Sequence, residues 1–99
     1  MAEYVLTARA EADLVEIARY TRREWGDRQR DKYIRELFDL FSRIAEQPEL
    51  ASNRDDIRPD LKSRRHRKTH VVFYRMEGKR VEVLRILHTR RDVERAFRE

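Results

Sequence analysis

At 99 residues, with 24 Lys and Arg, 19 Asp and Glu and no Cys, the chain suits one domain with a modest core and has nothing for a disulfide framework or thiolate chemistry. Apolar residues nowhere run long enough to span a bilayer, and the opening MAEYVLTARAEADL lacks the basic and apolar regions of a secretion signal, so a soluble cytoplasmic protein with no membrane role is expected. The net charge of +5 is unevenly held: residues 1–53 carry nine basic against eleven acidic side chains, and residues 54–99 fifteen against eight. A basic half attracts phosphate backbones and acidic proteins alike, because the long-range field reads only sign.

Glu3 to Leu6 is a short strand candidate. Thr7 can cap a helix in which Ala10, Leu14, Ile17, Thr21 and Trp25 recur at spacings of three and four, until Gly26 stops it. Asp27 can cap a second helix carrying Tyr33, Leu37, Leu40 and Ile44 on one stripe, which ends at Gln47 because Pro48 disfavours helical geometry before it. A second stripe, Ile34, Phe38, Phe41 and Ala45, makes this helix wide enough to touch both its sister and a sheet. Residues 48–59 read as a surface connection. Leu61 to Arg67 is a polar edge strand, and His70 to Met76 with Arg80 to His88 form a hairpin around Glu77 and Gly78. Asp92 to Arg98 has room for one or two helical turns. The fold expected is α+β: an N-terminal strand, an antiparallel helical hairpin on a mainly antiparallel sheet of three to four strands, and a short C-terminal helix.

Period two places Val81, Val83, Arg85 and Leu87 on one face of the last strand and Glu82, Leu84, Ile86 and His88 on the other. Both faces are apolar, and one is expected to stay open for a partner unless Val93 and Phe97 cover it. The strand ends in a cationic cluster, Arg85, His88, Arg90 and Arg91. A histidine among arginines can protonate a leaving group while guanidiniums hold a phosphate, but Arg85 and His88 alternate to opposite faces. Taken singly, His88 reads better as a strand-end histidine tied into the fold, and Arg85 as an arginine paired with a buried acid or with Asp92. The run from Lys62 to Lys68 is either a solvated edge or a contact for phosphate or an acidic partner. His66 and His70 lie four apart, but with no Cys and no ordered third ligand no metal is assigned.

The segment YVLTARAEADLVEIARYTRREWG, then Gln47 with Pro48, Ile57 and Arg58 with Pro59, His70 to Arg75, and Arg85 to Asp92 together resemble the toxins of the ParE/RelE superfamily over nearly the whole chain. The resemblance implies a helical hairpin on an antiparallel sheet, no cofactor, and a ParD-like antitoxin that wraps over the toxin in a hetero-oligomer. It also implies one of two targets. RelE-like members cut mRNA on the ribosome, whereas ParE-like members poison DNA gyrase without a known hydrolytic site. In several of the ribonucleases an arginine follows the equivalent of His70; here Val71 stands there, and a valine cannot donate to a phosphate.

The expectation is therefore a ParE-like toxin that inhibits gyrase, with DNA contacted only through gyrase or the antitoxin. Its target surface is expected at Arg85, His88, Arg90 and Arg91, ordered by Asp92, and its antitoxin surface at Leu14, Trp25 and Phe38. The alternative is a RelE-like endoribonuclease with His88 as general acid or base and Arg85 or Arg64 on the scissile phosphate. A nucleic-acid-binding module without toxicity is suggested by charge alone.

Overall fold

The computed structural model describes residues 3–99. Strand β1 (Tyr4–Leu6) leads into helices α1 (Ala8–Trp25) and α2 (Asp27–Glu46), followed by β2 (Ser52–Asn53), β3 (Lys62–His66), β4 (His70–Glu77), β5 (Arg80–His88) and helix α3 (Val93–Arg98). Thr7 caps α1 as its position predicts: its Oγ1 accepts from the Ala10 N–H at 3.1 Å and also donates to the Leu84 carbonyl at 2.9 Å. One side chain thus starts the helix and fastens it to β5. Thr7→Ala should cost about 1–2 kcal/mol in urea unfolding, and Thr7→Ser should recover most of it; equal losses for both would mean that the hydroxyl is irrelevant.

Gly26, at φ 92°, closes α1 and opens α2, a left-handed backbone that an L side chain adopts only under strain. Asp27 does not cap α2 as its sequence position suggested. It lies inside the first turn, pairs with Arg22 at 2.9 Å and Arg30 at 3.6 Å, and leaves the cap position to Gly26. The C-terminal cap of α2 falls on Gln47, ahead of Pro48, as expected.

The described residues form a five-stranded sheet in the order β1-β5-β4-β3-β2, antiparallel except for the parallel β1–β5 pair. The strand beyond the three to four expected is β2, two polar residues within the stretch that reads as a connection. A pair that short has no periodicity to detect.

A larger difference lies in β5. Phe73 pairs with Arg85, but Tyr74 pairs with Val83, so Leu84 is a bulge. An extra residue reverses the facing of everything before it. Val81 and Val83 therefore join Ile86 on the helical side, where they pack with Val72, Tyr74, Leu14, Ile17, Leu37, Leu40, Phe41 and Ile44. The face on which strict alternation placed Val81 and Val83 keeps Arg85 and Leu87.

That face is not left open. Leu61, Phe73, Leu87 and Ala96 form a second core, joined by Ile57, Val93 and Phe97, and the Phe73 and Phe97 rings meet edge to face at 5.5 Å. Of the two outcomes expected for that face, an open surface for a partner or cover by Val93 and Phe97, the fold takes the second: α3 lies over it, and the bulge has moved Val81 and Val83 to the other side while bringing Leu84 onto this one. Arg58 secures the lid by donating to the Phe97 carbonyl at 2.9 Å, with its guanidinium 4.9 Å from that ring's centre.

Arg85 bridges the two sides. Its Nε and Nη2 donate to Asp13 of α1 at 2.9 and 3.0 Å, its Nη1 donates to the Ala96 carbonyl at 2.7 Å, and Asp13 Oδ2 also accepts the Ile86 N–H at 2.9 Å. β1 pairs with β5 only as far as Val83, so Asp13 supplies an acceptor to an edge that would otherwise be bare.

Candidate functional site

Beyond the end of the helical core a cleft of about 610 Å³ lies between the C-terminal half of α1, the N-terminal half of α2 and the strand ends around His70 and His88. Its apolar wall comes from Ile17, Tyr20, Trp25, Ile86 and Leu87. The same 3.6-residue stripe that buries Leu14 and Ile17 continues past the sheet, so Trp25 remains 72% exposed and Tyr20 54%.

The opposite wall is polar and largely self-satisfied. His70 is nearly buried, and its Nδ1 lies 2.6 Å from the Tyr33 hydroxyl. Burial, then the neighbouring His88 and His66, push the His70 imidazole down to about 4, so near neutral pH it is uncharged. Burial raises the Tyr33 phenol above its ordinary value. Near neutral pH the contact therefore joins a neutral phenol to a neutral imidazole through a single hydrogen bond. The His70 ring stands edge to face with His88 at 5.5 Å, and Tyr33 does the same with His66 at 5.2 Å.

Behind Tyr33, Glu36 holds the β3–β4 turn. It accepts from Arg67 Nε and Nη2 at 2.9 and 2.7 Å and lies 3.0 Å from His66 Nε2. The Arg67 guanidinium, more than any other neighbour, holds the Glu36 carboxyl down to about 2. His66 and His70 therefore face Glu36 and Tyr33 across a hairpin, as cross-strand partners.

The exposed corner next to the cleft carries His88, Arg90 and Arg91. His88 Nδ1 accepts the Arg90 N–H at 3.0 Å. Arg91 lines the cleft and pairs with Glu99. Asp92 does not order these arginines: it caps α3, accepting the Arg95 N–H at 3.2 Å. Arg85 is removed from the corner altogether, being 6% exposed and bound to Asp13. The grouping of His88 with Arg85 and Arg64 is likewise not assembled, since Arg85 points to the other face of the sheet and Arg64 stands opposite Val72, two strands from β5.

Among the apolar candidates, Leu14 is core at 8% exposure, Trp25 lines the cleft, and Phe38 is exposed on α2, packed edge to face on Phe41 at 5.5 Å. Tyr33, His70, Glu36 and Arg67 were not foreseen as site residues. The signal available was the four-residue spacing of His66 and His70, which marks two strand ends across a tight turn.

Comparison with known proteins agrees with this geometry. The family model described as "ParE toxin of type II toxin-antitoxin system, parDE" matches residues 4–93. Toxin ParE1 of Mycobacterium tuberculosis is 38% identical over 93 residues, covering 93% of this chain and 94% of that one. Toxin ParE1 of Caulobacter vibrioides is 41% identical over 88 residues, covering 89% and 90%, and Toxin ParE of Escherichia coli is 39% identical over 93 residues, covering 94% and 90%. Among solved structures, a chain of the chromosomal ParDE toxin-antitoxin system of P. aeruginosa superimposes with a TM-score of 0.77 at 20% identity, over 89% of this chain and 96% of that one. Its identity is low enough that it supports the fold alone, whereas the family match runs from β1 through the cleft and corner to the start of α3. With that span matched, and with relatives near 40% identity over nearly their whole length, the chain belongs to the ParE toxins of type II toxin-antitoxin systems.

Proposed function

We propose that this chain is held inactive by a ParD-type antitoxin seated in the cleft beside Trp25 and Tyr20, and that the freed toxin acts in the cytoplasm on DNA gyrase through His88, Arg90 and Arg91. The observation that carries this is the continuity of the two surfaces. Arg91 and His88 belong to both the cleft and the basic corner, so a segment lying along the apolar wall covers the cationic side chains and silences them. Exposed large aromatic side chains next to exposed positive charge are the usual anchors of an amphipathic, acidic partner. No helix among the described residues is long and apolar enough to cross a membrane.

The test incubates the purified chain with gyrase and supercoiled plasmid, and separately with programmed ribosomes. Trapped cleavage complexes that disappear with Arg90→Ala and Arg91→Ala together, in a variant whose melting temperature is unchanged, support the reading. Cuts in mRNA at the ribosomal A site, or full gyrase poisoning by the folded double variant, overturn it.

A further inference from the structure

A second surface lies at the far end of the sheet. β2 contributes two residues, which pair with Ser63 and Lys62, so among the described residues strand β3 from Arg64 to His66 is bonded to β4 on its inner side and to no strand on its outer one. A notch of about 350 Å³ follows this bare edge, walled by Ser52, Arg54, Ser63, Arg64, Arg65 and Val71. Ser63 and Arg65 come from one face of the strand and Arg64 from the other, so the notch wraps the edge. Arg64 Nη1 is buried and, among the described residues, has no hydrogen-bond partner, an arrangement proteins avoid because a desolvated cationic group is left uncompensated. Arg54 shows what such an arginine accepts: Asp56 takes two hydrogen bonds from its Nε and Nη2, each at 3.0 Å. Among the described residues neither Arg64 nor Arg65 has a carboxylate partner.

We propose that the open edge of β3 is a docking site for an extended acidic peptide, which adds as a strand in continuation of β2 and sets neighbouring carboxylates against Arg64 on one face of the strand and Arg65 on the other. Edge strands bind extended segments through main-chain hydrogen bonds, and charged guanidiniums select carboxylates through paired N–H donors. A second copy of this chain is a poor occupant, since it brings the same arginines to the same edge. A nucleic-acid strand would use the arginines but leave the edge amides unpaired, and no aromatic side chain in the notch offers it a stacking platform.

The probe is a fluorescein-labelled, end-blocked Val-Glu heptapeptide in which pairs of adjacent Glu put a carboxylate on each face of the added strand, titrated against the full chain by anisotropy, with a Val-Lys version, a version N-methylated at alternate bonds and a single-stranded oligothymidylate alongside. Saturable binding of the Val-Glu peptide is expected, weakened about tenfold by Arg64→Gln combined with Arg65→Gln and at least as much by N-methylation, with the Val-Lys peptide silent. Because Arg64 borders the core, Arg65→Glu, at an exposed position, serves as the variant whose folding is not at risk and should also weaken binding. No saturation up to about 1 mM, insensitivity to Arg65→Glu or to N-methylation, or tighter binding of the oligothymidylate overturns the proposal.

Discussion

Replacing Asp13 by alanine is expected to destabilise the fold by about 3–5 kcal/mol, the cost of leaving one member of a buried ion pair without its partner. The Arg85 guanidinium would retain only the Ala96 carbonyl, and the Ile86 N–H would lose its acceptor. Small domains hold about 5–15 kcal/mol in all, so the variant should be largely unfolded at modest urea concentrations. Two charges taken out of water are not in themselves favourable, however. Combining Asp13→Ala with Arg85→Leu should therefore restore most of the lost stability, leaving a residue from the Ile86 N–H and the Ala96 carbonyl. Urea midpoints of the wild type, both single variants and the double variant make the cycle. A loss below about 1 kcal/mol for Asp13→Ala would show that water reaches the pair and compensates Arg85. The result bears on function: with α1, β5 and α3 joined at this point, loss of toxicity on mutating Arg85 would report a failed fold rather than a lost target contact.

The pairing of Arg85 with a buried acid was legible as a possibility from one arginine on an otherwise apolar strand face, but the identity of the acid was not. Asp13 lies 72 residues away and reads in the sequence as an ordinary helix carboxylate. Local signals carried well: the Thr7 cap, the Gly26 break, the stop before Pro48 and the turn at Gly78 each follow from backbone chemistry within four or five residues. The bulge at Leu84 did not carry. It reconciles β5 with two different neighbours, a parallel strand up to Val83 and a helix-borne carboxylate at Ile86, and neither is visible within β5. One inserted residue was enough to exchange the faces of two valines and of Leu84, and the face that the valines leave is closed by α3, the outcome that Val93 and Phe97 allowed. The cleft escaped for the same reason. Tyr33, His70 and His88 come from three elements that only the topology brings together, while Trp25 was recognisable because a helical stripe extends beyond the sheet that covers the rest of it.

Acidification should destabilise the protein between pH 6.5 and about 4, and His70 should account for most of that loss. In the unfolded chain its imidazole titrates near 6.5; in the fold it is held down to about 4. Between these values the unfolded state binds a proton that the folded state refuses, so stability falls as pH is lowered through this window, and the contribution is constant above it. The gap corresponds to about 3 kcal/mol at full development. Burial dominates the shift; His88 and His66 add repulsion, and Asp13 alone among the charged neighbours opposes it. Glu36 acts lower on the scale. Its carboxyl is held down to about 2 by Arg67, so its stabilisation is present above 4.5 and is lost only as pH falls from there toward 2. The two groups are thus separable by where the slope appears. His70→Asn removes the titrating ring while keeping a polar group beside Tyr33, and its melting temperature should stay nearly level from pH 7 to 5 while that of the wild type drops. Parallel profiles for the two proteins would mean that His70 accepts its proton without leaving the fold, with the cleft wall opening to water to accommodate it.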